Sequence, residues 1–370
     1  MSVAYVYDDR CLAYDWGPEH PLRPERLRLT TELLNAYGAF EAPGSEWVAP
    51  RPATAAEVLT SHSRDYVEAV ATLSRGGSVP DPRRFGFDIG DNPPFPGMYE
   101  AVLLYCGAAL TAAEQVLAGR RVAFSVAGGL HHAFPDRCAG FCIFNDPVIV
   151  IHRLLTDVDR VVYLDIDAHH GDGVQAAFYR DRRVMTISVH ETGETLFPGR
   201  GFAEEIGEGP GRGTAVNVPL FPETDDELYL WAFREIVPPL VEAFQPEILV
   251  AQLGCDTHFA DPLANLALTT GGYREVVRII DSLCDRWVAL GGGGYNLSTV
   301  PRAWSLAYAV AARQDLPDLV PEAFAGRTGI ERLNDPYPGD RPSPPARTRR
   351  YAEQTVEAVH RHLFPLWGLG

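Results

Sequence analysis

Six short apolar runs, rich in β-branched residues, recur along the chain: VAYVY (3–7), VAFSVAGG (122–129), VVYLDID (161–167), VMTISVH (184–190), ILVAQLG (248–254) and WVALGGGG (287–294). They are apolar nearly throughout, which predicts strands covered on both faces, as in a parallel sheet. Helical patterns lie between them. Residues 99–118 form one that stops at Gly119, a C-terminal cap. Asp146-Pro147 reads as an N-cap and first-turn proline opening a helix over 148–155. Thr224 and Glu227 read as a capping box ahead of a helix reaching 244. Further helices are expected over 272–286 and 301–313. The segments 80–98 and 334–347, dense in Pro, Gly and Asp, are expected to be irregular. The second connects to a final helix, ending near 363, that should dock back on the body. Strand and helix alternate, so the expectation is one α/β domain over 1–370 around a mainly parallel sheet.

Composition narrows the picture. Of 370 residues, 46% are hydrophobic and 22% charged, enough apolar material for a large core. Lys plus Arg number 32 and Asp plus Glu 49, so the net charge is 32 − 49 = −17. That balance argues against general nucleic-acid binding, which needs basic contacts to phosphate. It aids solubility and would attract basic partners. Cys11, Cys106, Cys138, Cys142, Cys255 and Cys284 are scattered with no CxxC pair, and read as reduced thiols. The opening MSVAYVYDDR meets Asp8 and Asp9 before any long apolar run, unlike a signal peptide. No uncharged apolar stretch approaches the ~20 residues that span a bilayer. The expectation is a cytoplasmic protein with no nucleic-acid or membrane partner; oligomeric state is left open.

Candidate chemistry collects where the runs end. In open parallel sheets, ligands bind beyond the carboxyl ends of the strands. His131 and His132 follow the second run, Asp165 and Asp167 end the third, and His169, His170 and Asp172 come just after it. Asp256 follows the fifth and Tyr295 the sixth. Asp167 and His169 stand two residues apart and can face the same way. With Asp256 they make a three-ligand site for a divalent ion, leaving a position for water and substrate. The same spacing also fits a calcium-like carboxylate loop or a solvated turn. His131-His132 alone would more often be surface decoration or a core hydrogen bond. The surplus Asp165 and Asp172 could accept hydrogen bonds from those imidazoles and fix their tautomers. LGGGGYN (290–296) lacks the Lys-Ser/Thr of a phosphate loop, and GEGPGRG (207–213) lacks dinucleotide-fingerprint spacing.

Together these stretches resemble the histone deacetylase superfamily, and within it the bacterial acetoin-utilisation deacetylases. The resemblance starts at YDWGPEHPLRPERL (14–27). It continues through GGLHHAFPDRCAGFCIFND, YLDIDAHHGDGV, TISVHE, FPG and GCDTHFADPL to LGGGGYNLSTVPRAW (290–304). It implies an arginase/deacetylase-like three-layer α/β/α sandwich and metal-dependent hydrolysis of acetyl-lysine amides in proteins. The implied metal ligands are Asp167, His169 and Asp256, holding Zn²⁺ or Fe²⁺. The implied catalytic set is His131, His132, Asp165, Asp172 and Tyr295. Phe141, Phe197, Gly140, Gly293, Gly294, Leu263 and a rim carboxylate, Asp91, would form the substrate tunnel. Arg26 would stand near an internal acetate cavity. A structural K⁺ or Na⁺ would lie near Asp165, Asp167, His169, Ser188 and Val189.

The resemblance also defines rivals. A two-metal ureohydrolase would need an Asp where Gly171 stands and a carboxylate where His258 stands. A polyamine-selective relative would carry an acidic gatekeeper where Leu263 stands. A non-catalytic acetyl-lysine reader would lack part of the catalytic set, which is intact here. The implied protein substrate within this subfamily is acetylated acetyl-CoA synthetase.

Overall fold

All six expected runs are strands, and two more join them. β1 (Val3–Val6), β2 (Ser45–Val48), β3 (Val122–Ser125) and β4 (Val161–Asp165) are followed by β5 (Val184–Glu191), β6 (Ala215–Leu220), β7 (Ile248–Gln252) and β8 (Trp287–Leu290). They form one sheet in the order β2-β1-β3-β8-β7-β4-β5-β6, and every neighbouring pair is parallel. The computed structural model describes residues 2–87, 90–336 and 343–370. Parts of the segments 80–98 and 334–347 therefore lie outside the described residues.

The central strands are fully buried, as their unbroken apolar runs require. Several end earlier than the apolar pattern does. β3 stops at Ser125 and β8 at Leu290, and the glycines that follow leave the sheet. The unpredicted strands sit at the two edges. β2 reads SEWV and exposes Glu46 and Trp47, so it carries no apolar run. β6 reads AVNVPL and includes Pro219, tolerated because an edge strand has an unpaired side. The helix Ala346–Leu363 covers that edge, with Thr355 Oγ1 donating to the Pro219 carbonyl at 2.9 Å. An uncovered parallel edge would be free to pair with other chains.

Two expected caps are one residue off. Asn145, not Asp146, caps the helix Asp146–Leu154, accepting from the Val148 N–H. This leaves the Asp146 carboxylate free for another task. Asp225, not Thr224, caps Asp226–Phe244, while Thr224 Oγ1 turns back to the Phe221 carbonyl. Both short acceptors were available, and the path of the incoming loop selected between them. The helix Met98–Leu117 is followed by Gly119 at φ +100°, a left-handed exit that suits glycine. Its length and composition would let it cross a membrane, but 72% of its apolar window is buried inside the molecule.

Candidate active site

The turn after β4 is built by side chains that accept from their own backbone. Asp165 Oδ1 accepts from the Asp167 N–H at 3.1 Å, and Asp167 Oδ1 from the His169 N–H at 3.0 Å. These short loops throw alternate residues to one side. Asp256 Oδ1 accepts from the Ala168 N–H at 2.7 Å, stitching the loop after β7 to the loop after β4. Asp167, His169 and Asp256 thereby bring one ligand atom each within 4.8 Å of one another, and all three residues are buried. His169 Nδ1 lies 2.9 Å from Asp256 Oδ2 and 3.2 Å from Asp167 Oδ1.

The cluster concentrates two buried carboxyl groups around one imidazole. Burial and the Asp167 charge push Asp256 above the usual carboxylate range. Burial alone would lower His169, but its hydrogen bonds to Asp167 and Asp256 outweigh that and push it up to about 10. His169 Nδ1 thus lies between the two carboxyl groups, a donor set of two carboxylates and one imidazole that suits a divalent ion. The backbone is also cut to fit. A Cβ on Gly293 would lie 2.3 Å from Asp256 Oδ2 and 2.6 Å from Asp167 Oδ2. The Gly293 N–H and Gln252 Nε2 each donate to Asp167 Oδ2 at 2.7 Å, aiming that carboxylate.

Beside the cluster lies the histidine pair. His131 Nδ1 is 2.7 Å from Asp165 Oδ2 and His132 Nδ1 is 2.8 Å from Asp172 Oδ1. A carboxylate only accepts, so each Nδ1 carries a proton and each Nε2 faces the cavity side of the pair. The two Nε2 atoms are 3.0 Å apart. Burial disfavours charge on both rings. At His131 the charges of Asp165 and Asp167 outweigh burial and push it up to about 9. At His132 burial and the charge on His131 bring it down to about 4. One ring is held cationic and its neighbour neutral.

A narrow cavity reaches this point, lined by His131, His132, Asp167, Gly140, Phe141, Gly293 and Tyr295. Tyr295 stands with its ring 5.9 Å from Phe141 and 6.4 Å from His169. Phe141 adopts φ +65°, a left-handed conformation unusual for an aromatic residue, and its carbonyl accepts from Tyr14 Oη at 2.7 Å. Phe197, exposed at its outer face, packs 5.0 Å from the His132 ring. Gly140 separates them: a Cβ there would lie 2.4 Å from His132 and 3.0 Å from Phe197. His20 packs edge-on against Phe141 at 4.7 Å and hydrogen-bonds the carbonyl of Asp91, whose side chain is exposed at this rim. Leu263 is half-buried, and its N–H donates to Asp261 Oδ1 at 2.9 Å.

A second cavity shares Leu22 and Leu130 with the first and includes Arg26. Arg26 is buried, donates to the carbonyls of Gly292 (2.6 Å) and Gly294 (3.2 Å), and lies over Trp304. Gly294 at φ +131° is a backbone conformation closed to side chains. Ser188 sits opposite Asp165 on the neighbouring strand, with Oγ 2.9 Å from His190 Nδ1. The Val189 carbonyl accepts from Tyr229 Oη at 3.3 Å.

Several supporting residues had no role in the sequence reading. Gln252 ends β7 one step before the loop of Asp256, and its position after an apolar run was the available signal. Asp146 accepts from the Gly129 and Leu130 N–H groups at 2.8 and 2.9 Å, anchoring the turn that carries His131. Asn145 Nδ2 donates to the carbonyls of His131 and Ala133, both at 2.9 Å. His62 accepts from the Asn145 N–H across 83 residues of sequence, which no local pattern announces.

Residues 20–311 match the family model described as histone deacetylase domain. The chain is 40% identical to the acetoin utilization protein AcuC of Bacillus subtilis (strain 168) over 311 residues, 81% of this chain and 80% of that one. It is 42% identical to AcuC of Staphylococcus aureus (strain MSSA476) over 313 residues, 82% and 80% of the two. Among solved structures it superposes on an HDAC homolog complexed with SAHA with a TM-score of 0.88. The two share 31% identity, over 97% of this chain and all (100%) of that one. An HDAC homolog from Aquifex aeolicus gives a TM-score of 0.87 at 30% identity, over 96% and 100%. With its all-parallel sheet and the cluster at the carboxyl ends of β4 and β7, this chain belongs to the histone deacetylase family, as a bacterial deacetylase of the acetoin-utilisation type.

Proposed function

We propose that this deacetylase hydrolyses the acetyl-lysine amide of protein substrates, releasing acetate, with Asp167, His169 and Asp256 holding a zinc ion. The observation that carries the reading is the shared cavity: Asp167 of the three-ligand cluster lines it together with His131, His132 and Tyr295. Two carboxylates and one imidazole also suit iron(II). What such an ion supplies is Lewis acidity, polarising the amide carbonyl and lowering the pKa of water.

The chain's own groups do the rest. His132, neutral and oriented by Asp172, takes the proton of the attacking water on Nε2. It returns that proton to the lysine nitrogen as the C–N bond breaks, giving acetate and a free amine. His131, held cationic by Asp165, stabilises the negative charge that develops. Tyr295 donates its O–H to the carbonyl oxygen as it becomes an oxyanion. Phe141 and Phe197 exclude water along a straight acyl-lysine stem, with Gly140, Gly293 and Gly294 leaving it room. Arg26 and its cavity would receive the acetate. Asp91 would hold the substrate backbone at the rim. Ser188 and Val189, beside Asp165, Asp167 and His169, would carry a potassium or sodium ion.

One metal fits better than two. A side chain on Gly171 would meet Asp165 Oδ2 at 2.4 Å, and His258 is committed to Asp335 at 2.8 Å. Acetylated acetyl-CoA synthetase is the proposed physiological substrate, on the kinship with acetoin-utilisation proteins, and the cytoplasm the proposed location. A second reading, hydrolysis of acetylpolyamines, draws on the −17 charge and the exposed Asp91. The apolar Leu263 favours peptides.

The test is a substrate panel of acetyl-lysine peptides, longer acyl-lysines and acetylpolyamines, run with and without chelator. Chelator-sensitive turnover of acetyl-lysine peptides is expected. A preference for free acetylpolyamines would overturn the substrate assignment, and chelator-resistant turnover the metal assignment.

A further inference from the structure

His258 is buried two residues after Asp256, yet both of its ring nitrogens are engaged away from the three-ligand cluster. Nε2 donates to Asp335 Oδ2 at 2.8 Å, and Nδ1 accepts from the Ala260 N–H at 3.1 Å. Asp335 lies well past residues 20–311, the span matched by the family model. Its carboxylate is nonetheless nearly enclosed. Oδ2 also accepts from the Thr270 N–H at 2.8 Å, and Oδ1 accepts from Arg302 Nη1 at 2.8 Å. Its own N–H donates to Thr270 Oγ1 at 2.8 Å.

The network does not end at His258. The Ala260 carbonyl accepts from Asn296 Nδ2 at 2.9 Å. Asp261, the next residue, accepts from the Tyr295 N–H at 2.8 Å with Oδ2, and from the Leu263 N–H at 2.9 Å with Oδ1. A continuous hydrogen-bonded frame therefore runs from Asp335 to the backbone of Tyr295 and of the rim residue Leu263.

Tyr295 needs such a frame. It follows Gly291–Gly294, with Gly292 at φ +104° and Gly294 at φ +131°, so the preceding backbone has little stiffness of its own. Arg26 holds that run from one side through the carbonyls of Gly292 and Gly294. From the other side the Gly293 carbonyl accepts from the Cys255 N–H at 2.9 Å and the Gly293 N–H donates to Asp167, while Tyr295 itself is tied through its N–H to Asp261 and its neighbour Asn296 to the Ala260 carbonyl. Backbone pairing with Leu268 holds the loop at Thr257 and Phe259, and His258 on Asp335 adds its buried side-chain anchor.

We propose that Asp335, acting through His258 and Asp261, is a positioning residue for Tyr295, so that the segment beyond the family's matched span completes the active-site frame. This rests on the reading of Tyr295 as the oxyanion donor. A misplaced donor costs transition-state stabilisation more than substrate binding, so the effect should fall on kcat.

The test is a double-mutant cycle with acetyl-lysine peptide as substrate. Asp335→Asn keeps the shape and replaces one accepting oxygen with an amide that cannot accept. It is expected to lower kcat about 10-fold, with KM changed less than kcat and metal content unaltered. In a Tyr295→Phe background the same substitution should cost less than about two-fold, because the donor it positions is already gone. A network that serves only folding would give losses that multiply. Multiplicative losses, or a wild-type kcat for Asp335→Asn, overturn the proposal. If Asp335→Asn melts below the assay temperature, Thr270→Val carries the same cycle, since it removes only the acceptor for the Asp335 N–H. A wild type that ignores acetyl-lysine but hydrolyses acetylpolyamines defeats the substrate reading alone, and the cycle is then measured on that substrate.

Discussion

The Nε2 atoms of His131 and His132 stand 3.0 Å apart, while Asp165 and Asp172 hold the opposite nitrogen of each ring. Two adjacent histidines thus receive different carboxylates and different charge states, one up to about 9 and the other down to about 4. Burial acts on both. The difference comes from the excess negative charge around His131, and from its own positive charge acting on His132. The proposed division of labour follows: His132 can accept a proton and His131 cannot.

Asp172→Asn would replace an acceptor with a group that can also donate, releasing the His132 tautomer. We expect kcat to fall about 10- to 100-fold with metal content unchanged, as for other residues that orient a catalytic or ligating imidazole. Steady-state kinetics beside metal analysis of the purified variant would check this. Wild-type turnover would remove Asp172 from the mechanism.

Tyr295→Phe deletes one hydroxyl and leaves the packing against Phe141. Loss of an oxyanion donor costs about 10²–10³ in kcat. The variant should keep its metal and its melting temperature, so the loss can be read as chemistry. Turnover within a few-fold of wild type would contradict the assigned role.

Gly293→Ala tests the fit of the metal cradle. The added carbon would sit 2.3 Å from Asp256 Oδ2 and 2.6 Å from Asp167 Oδ2, so a ligand must move. Metal content should drop below one ion per chain, and activity should fall with it. Equilibrium dialysis followed by elemental analysis would measure the stoichiometry. Full occupancy by one tightly held ion would show that the cradle is less constrained than the geometry indicates.

His62 makes stability depend on pH outside the candidate metal-binding cluster. Its Nδ1 donates to the Phe134 carbonyl at 3.0 Å and its Nε2 accepts from the Asn145 N–H at 2.9 Å, an arrangement that requires the neutral ring. Burial brings the folded-state value down from 6.5 to about 4. Between those values the unfolded chain binds more protons than the folded one, so stability is full above pH 6.5 and declines as pH falls toward 4. At about 1.4 kcal/mol per unit, the contribution at stake is about 3 kcal/mol. Urea unfolding of wild type and His62→Gln across this range should show the gap between them closing as pH falls. A constant gap would mean that His62 does not titrate with folding.

Much of this protein was legible in one dimension because its central strands are covered on both faces. Burial on both faces demands unbroken apolar runs, and such runs are visible without any partner. The ends of those runs are where backbone leaves the sheet and polar side chains become affordable, so His131, Asp167, Asp256 and Tyr295 stood out at four separate strand ends. The edge strands obey a weaker constraint. SEWV at β2 and AVNVPL at β6 are strands because neighbours supply their hydrogen bonds, and their own residues carry no comparable signal.

The same division runs through the site. The identities of the candidate ligands and of the histidine pair, with two surplus carboxylates, were set by the order of residues. The pairing of Asp165 with His131 and of Asp172 with His132 is a matter of distance between loops. So are Gln252 aiming Asp167, Asp146 anchoring the His131 turn, and His62 reaching Asn145. Asp335 lies 77 residues from His258 and meets it only because the chain after α-helical residues 300–312 folds back over the loop that follows β7. Hydrogen bonds act over about 3 Å of space and are blind to separation along the chain. Residue types and their spacing along the strands therefore determined the fold class and the chemistry available, whereas the protonation states, the aim of each carboxylate and the frame around Tyr295 were decided only when the sheet brought its loops together.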